Sequence, residues 1–265
     1  MRTTFPVNPF RQALGIEIEI PRPGGCNALM PPVPAACDPG GGISQGAVAT
    51  LCDITLGHAI AGQLLERVSF GTVHLQIAFH RAVGKAPVRG EGESPLLAPE
   101  WKEAMASCRV LRMDGEICAT AQGFFARSPK RQPAEEEPGA SPEWEMPDAQ
   151  SLPALLSLLP AADDLQVLDV RPVLLNPEGI GHGGALAAAL DLAMRSSLLA
   201  RGAGEVALRT LDVSYMLPTL PGEVQLQVQI DRKGRSIHFA QASARDGDGR
   251  VLCAAVGIYG AALGV

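Results

Sequence analysis

At 265 residues the chain is long enough for two domains of roughly 100–150 residues, and 46% hydrophobic with 19% charged residues is a soluble globular composition, neither disordered nor fibrous. A net charge of −6 without any Lys/Arg block argues against a nucleic-acid partner, whose phosphates call for clustered cations. The most uniformly apolar run, Gly183 to Leu190, is broken by Asp191 well short of the roughly 18–20 residues of a membrane span, so no membrane partner is expected.

The Met1–Phe10 start lacks the basic-then-apolar pattern of an export signal. The six cysteines contain no C-x-x-C pair and read as reduced core thiols of a cytoplasmic protein, not as disulfides or zinc ligands.

In chain order, the Gly-rich loop Asp38-Pro-Gly-Gly-Gly-Ile precedes a proline-free, Ala- and Leu-rich stretch from Gly46 to about Glu66, the pattern of a buried helix. Thr72 to Phe79 alternates in period two, as a strand with one wet face does. Strand-like segments follow at Ala104–Arg112 and Glu116–Arg127, joined by the turn signal Met113-Asp-Gly. Ser128 to about Gln150 is rich in Pro, Glu, Ala and Ser and reads as an exposed linker.

The pattern then repeats. A second loop, Asn176-Pro-Glu-Gly-Ile-Gly, leads into a helical stretch from Gly184 to about Arg201 and an alternating segment from Thr210 to Tyr215. Glu223–Asp231, Ser236–Arg245 and Val251–Gly260 complete the strands, the last two joined at Asp246-Gly-Asp-Gly249. Gly46-Ala-Val-Ala-Thr-Leu-Cys-Asp53 and Gly184-Ala-Leu-Ala-Ala-Ala-Leu-Asp191 share Gly, Ala, Ala and Asp at equal spacing. One long helix with that many strands is best buried by a curved antiparallel sheet wrapped around it, so the expected fold is α+β in two copies, residues 1–128 and 151–265, with 129–150 as the linker.

Asn176-Pro-Glu-Gly-Ile-Gly-His182-Gly183-Gly184, followed by Asp191, resembles the Asn-x-x-Gly-x-x-His-Gly-Gly loop of hotdog-fold thioesterases of the phenylacetate-degradation type. The opening Asn8-Pro-Phe10 to Leu14-Gly-Ile is similar to the same family's N-terminal segment. The resemblance implies two tandem hotdog repeats forming an internal pseudo-dimer, an acyl-coenzyme A substrate, and sites assembled across the interface. Coenzyme A enters as part of the substrate, and neither a separate cofactor nor a metal is implied.

Carried over residue by residue, the resemblance implies one composite site: Asn176, His182 and Gly183 from the second copy, with Asp53 and Thr72 from the first. The opposite site keeps Asp191, with Thr210 aligned to Thr72, but its loop offers Asp38, Ser44 and Gln45, so it is expected to be degenerate. Gly183 and Gly184 open a helix whose free N–H groups and dipole suit a developing oxyanion, while Asp53 suits a general base or a nucleophile.

Each assignment has a structural counterpart. An Asp in an apolar helix can be a buried hydrogen-bonded group, Asn176 can simply brace its loop, Thr72 can be an ordinary strand residue, and His182 fits loop shaping better than acid–base work. Arg81 and Arg235 are candidate phosphate partners, each otherwise a solvated arginine. His58, His74, His80 and His238 show no metal spacing, and His74 and His80 share a strand face with Thr72, which would put them at the pocket.

Two rival functions stand beside hydrolysis. A hotdog dehydratase or hydratase would use His182 as acid–base opposite Asp53, although its usual His-Phe-Pro-type loop is missing from the sequence. A non-catalytic acyl-coenzyme A binding module would bind without releasing thiol. Further pairing of the chain as a homodimer is compatible with either.

Overall fold

A computed structural model describes residues 8–64, 68–128, 148–162 and 164–262, and most of the expected linker lies outside them. The first half contains α1 (Pro9–Ala13), β1 (Glu17–Glu19), β2 (Gly25–Met30), α2 (Gln45–Ala61), β3 (Phe70–Phe79), β4 (Val88–Glu93), β5 (Glu103–Arg112) and β6 (Ile117–Arg127). The second repeats that succession as α3 (Leu152–Leu156), β7 (Leu159–Ala162), β8 (Leu165–Val170), α4 (Gly183–Ala200), β9 (Val206–Tyr215), β10 (Gly222–Lys233), β11 (Ile237–Arg245) and β12 (Val251–Ala261).

All the strands join one antiparallel sheet of twelve, ordered β1-β2-β4-β5-β6-β3-β9-β12-β11-β10-β8-β7. The order is a palindrome of the two copies about β3 and β9, which pair antiparallel with Gln76 opposite Asp212. Helix α2 packs on strands of the first half and α4 on strands of the second. This is the α+β architecture expected from the repeat, a helix against an antiparallel sheet in each of two copies.

The two helices also pack on each other, and their sequences explain how closely. A Cβ added at Gly46 would lie 3.0 Å from the Ala188 Cβ, and one at Gly184 would lie 2.7 Å from the Thr50 Cα. Glycine removes the side chain that would hold the backbones apart. Thr50 Oγ1 then donates both to Gly46 O in its own helix (3.1 Å) and to Gly184 O across the crossing (3.0 Å). Because α2 is covered by sheet and partner helix together, nearly every residue from Gly46 to Ile60 is buried, as in a helix apolar all round.

Two differences from the sequence reading have clear causes. Helix α2 stops at Ala61, with Gly62 N–H donating to His58 O as its cap, short of Glu66. Strand β4 escapes a hydrophobic pattern because Gly90 and Gly92 lie under Thr55: added Cβ atoms would come within 2.5 and 2.8 Å of its side chain. There the helix itself fills the space that strand side chains normally fill. All six cysteines are buried and unpaired, and no described helix is long and apolar enough to cross a membrane.

Candidate active site

The loop before α4 is built around Asn176, whose Oδ1 accepts from the N–H groups of Glu178 (3.0 Å) and Ile180 (3.2 Å). Gly179, at φ +74°, completes the tight turn that only glycine adopts at ease. His182 N–H donates to Leu174 O (2.8 Å) and Gly181 N–H to Thr219 O (2.7 Å), fixing where α4 begins.

His182 is the helix N-cap, and its Nδ1 accepts from Gly184 N–H at 3.0 Å. Its ring packs at 5.8 Å from that of Phe10. Burial pushes its pKa down, against the opposing pull of Asp53. The imidazole is therefore neutral, with Nδ1 as acceptor and the proton on Nε2. This is a loop-shaping role.

Asp53 reaches the same helix start from α2. Its Oδ2 accepts from Gly184 N–H at 2.8 Å, its Oδ1 accepts from Thr72 Oγ1 at 2.8 Å, and the residue is 7% exposed. A carboxylate at a helix N-terminus is favoured by the dipole and by donors that lack intrahelical acceptors. A Cβ at Gly183 would lie 3.0 Å from Asp53 Oδ2. Glycine thus keeps the approach to both the carboxylate and the Gly183 N–H open.

Of the paired glycines, Gly184 spends its N–H on Asp53 and His182, so it positions the acid and is not the donor facing a ligand. Tyr215 belongs to the same cluster and went unrecognised in the sequence. Its hydroxyl donates to Gly183 O at 2.8 Å, so the Gly183–Gly184 peptide is held at its carbonyl by Tyr215 and at its N–H by Asp53. Burial raises the Tyr215 pKa well above its ordinary value, with the Asp53 charge adding to the shift. A signal for it existed: continued from Leu211 and Val213, period two puts Tyr215 on the helix-facing side of β9.

A cavity of about 730 Å³ opens beside this cluster, within the range of small-molecule sites. Asp53, Thr72, Asn176, His182, Gly183 and Tyr215 all line it, together with apolar walls that include Ile54, Phe70, Phe125 and Leu186. His58 also lines it, with burial bringing its pKa down to about 4. Arg127 is the one Lys or Arg among the lining residues described.

The other candidates fall elsewhere. Arg81 faces Glu116 with its Nε 3.5 Å from the carboxylate, Arg235 is exposed beyond β10, and neither lines the cavity. The expectation that His74 and His80 share the face of Thr72 fails. A bulge between Thr72 and His74 reverses the alternation, so His74 pairs with Asp212 at 2.7 Å and His80 meets Thr120 at 3.0 Å.

The corresponding position in the other half is built differently. Asp191, 1% exposed, accepts from the Tyr259 hydroxyl at 2.9 Å through Oδ1, while its Oδ2 is buried without a hydrogen-bond partner. Burial raises its pKa, against the lowering effect of Arg195. Ser44 caps α2 where His182 caps α4. Gln45, in the place of Gly183, folds its amide onto the backbone of Leu208, donating to its O (2.8 Å) and accepting from its N–H (2.6 Å).

Asp38, in the place of Asn176, takes a bidentate pair from Arg195 at 2.9 and 3.1 Å. Thr210 does not correspond to Thr72 as aligned. Phe125 pairs with Thr72 across β6–β3 and Tyr259 pairs with Leu208 across β12–β9, so leucine stands where the first copy has threonine. The path from the helical Asp into the strand is two residues shorter in the second copy, which an ungapped alignment misses. Among the described residues no cluster of three His, Cys, Asp or Glu side chains could hold a metal ion.

Residues 174–260 match the family model described as "Acyl-CoA thioesterase N-terminal domain". The fold is similar to that of the tesB protein of Mycobacterium avium subsp. paratuberculosis, at 16% identity and a TM-score of 0.65, over 95% of this chain and 97% of that one. It is also similar to the acyl-CoA thioesterase II TesB2 of Mycobacterium marinum (14% identity, TM-score 0.59, 96% and 97% covered). A third likeness is to the 12:0-ACP thioesterase of Umbellularia californica (12% identity, TM-score 0.62, 89% and 93% covered). Comparison with curated proteins finds no match. By fold the chain is similar to these proteins over nearly its whole length, and the sequence match to the family model lies within its second half.

Proposed function

We propose that the chain is an acyl-coenzyme A thioesterase with one working site between two repeats, residues 1–128 and 151–265, joined by a linker over 129–150. The observation that carries this reading is the Asp53 carboxylate of the first copy, held 2.8 Å from Gly184 N–H at the start of α4 beside an apolar-walled cavity of about 730 Å³. The family match over residues 174–260, which includes that helix start, supports it.

In this reading the thioester carbonyl oxygen accepts from Gly183 N–H, which the helix dipole reinforces as negative charge develops. Asp53 has both oxygens engaged by Thr72 and Gly184 and keeps further lone pairs. It takes a proton from water as the hydroxide adds to the carbonyl carbon, and when the tetrahedral intermediate collapses and the C–S bond breaks that proton passes to the leaving sulfur, leaving a free acid, a thiol and the Asp53 carboxylate restored. Neutral His182 and Asn176 shape the loop that presents Gly183, and neither need exchange a proton.

The test is thiol release from short, long and aryl acyl-coenzyme A by the full chain and its Asp53→Asn variant. Release that disappears with the carboxylate supports hydrolysis. A change in acyl unsaturation without thiol, or binding without either product, would replace it with the dehydratase or the binding-module reading.

A further inference from the structure

Gly57 lies one helical turn beyond Asp53 on α2 and lines the cavity. A Cβ added there would meet only Phe125, at 3.9 Å. A methyl group at this position would therefore fit without collision, on a residue that lines the cavity. At the helix rise of about 1.5 Å per residue, Gly57 lies roughly 6 Å and Ala61 roughly 12 Å along the axis from Asp53, and the cavity lining includes the apolar Ile54, Phe70 and Phe125 beside the polar His58 and Arg127.

The second copy supplies the contrast. One turn beyond Asp191, the residue in the place of Gly57 is Arg195, whose guanidinium is held by Asp38. Asp191 is 1% exposed and is not among the residues lining the cavity beside Asp53. The same helical position is thus bare in the copy whose acid lines that cavity and occupied in the copy whose acid is buried.

Building on the thioesterase reading, we propose that Gly57 sets how long an acyl chain the site accepts: a flexible fatty-acyl chain passes over the bare helix at Gly57 toward Ala61 and Phe70. The substrate class is then a linear acyl thioester that extends beyond the Gly57 turn, not a two- to four-carbon acyl group. Each methylene buried in an apolar channel strengthens binding roughly fourfold, so a blocked channel is read as a chain-length preference.

The experiment measures kcat/KM for butyryl- and dodecanoyl-coenzyme A with the full chain, Gly57→Ala and Gly57→Leu. The unsubstituted chain should favour dodecanoyl. The dodecanoyl-to-butyryl ratio should fall at least tenfold in Gly57→Leu and by an intermediate factor in Gly57→Ala. An unsubstituted chain that favours butyryl, or an unchanged ratio in a folded Gly57→Leu protein, would overturn the inference; if the leucine variant fails to fold, the ratio in Gly57→Ala decides.

Should no substrate release thiol, binding of a non-hydrolysable dodecanoyl thioether of coenzyme A separates the two claims. Binding that Gly57→Leu abolishes keeps the role of Gly57 and discards hydrolysis. Absent binding, or binding that the substitution leaves unchanged, discards the role of Gly57.

Discussion

Asp53 and Asp191 sit on corresponding turns of two helices that cross at matched small residues, yet one carboxylate borders a cavity and the other is sealed in. Around Asp53 the neighbours are small or are donors: Gly183, Gly57, Thr72 and the N–H of Gly184. Around Asp191 each counterpart is larger or bonded elsewhere: Gln45 on Leu208, Arg195 on Asp38, and Tyr259 where the first copy has Phe125. The contrast teaches that retaining the acid retains no site. What distinguishes the two copies is the space left beside the acid.

The largest expected effect tests the acids directly. Asp53→Asn should lower thiol release by about 10²- to 10⁴-fold, the usual contribution of a general base, while Asp191→Asn stays within about twofold. Equal losses in steady-state assays would erase the contrast.

Next comes the glycine that distinguishes the helix starts. Gly183→Ala puts a Cβ 3.0 Å from Asp53 Oδ2 and should cost about 10- to 100-fold in kcat. Gln45→Gly, its counterpart, should leave turnover within about twofold and instead lower stability by about 2–3 kcal/mol in denaturant titration, through two lost hydrogen bonds and added chain freedom.

A smaller effect is expected at Tyr215, a positioning residue that acts through the Gly183–Gly184 peptide. Tyr215→Phe removes one hydrogen bond worth about 1 kcal/mol, so kcat should fall roughly fivefold with KM little changed. A change confined to KM would contradict the positioning role.

The smallest effects are on stability against pH, and the two sites should differ in sign. His58, at about 4, and His182 both titrate lower when folded than the ordinary 6.5, so the unfolded chain binds protons first. Their contribution is present above about 6.5 and is lost as the pH falls toward 4. Asp191 is shifted the other way: it holds its proton when folded at pH values where the unfolded carboxyl has ionised, so it costs stability as the pH rises. Asp191→Asn should therefore raise the melting temperature at neutral pH and lose that advantage in acid. A Tm difference that grows toward acid would contradict a raised pKa.

Much of this was legible in the sequence because the repeat carries its own alignment. Gly46 and Gly184 mark the matched helix starts, Asp53 and Asp191 the carboxylate turns, and the Asn176–Gly184 loop the entry into α4. Gly57 and Arg195 were missed as site residues, since a helical glycine and a helical arginine carry no local signature, and Tyr215 was missed although period two along β9 pointed it toward the helix. The bulge after Thr72 was likewise silent, which is why His74 was assigned to the wrong face, and the shorter path from Asp191 into β9 is why Thr210 took the wrong counterpart.

Period and small-residue spacing along the chain determined by themselves that each half is a long buried helix followed by antiparallel strands, because those patterns report which faces must leave water. Tertiary structure alone decided that β3 and β9 fuse the halves into one sheet, that Asp53 caps the helix of the other copy, and that Arg195 and Tyr259 occupy the second position. The reason is geometric: hydrogen bonds between residues 131 positions apart, as between Gly184 and Asp53, depend on register and helix crossing, and no local pattern encodes either.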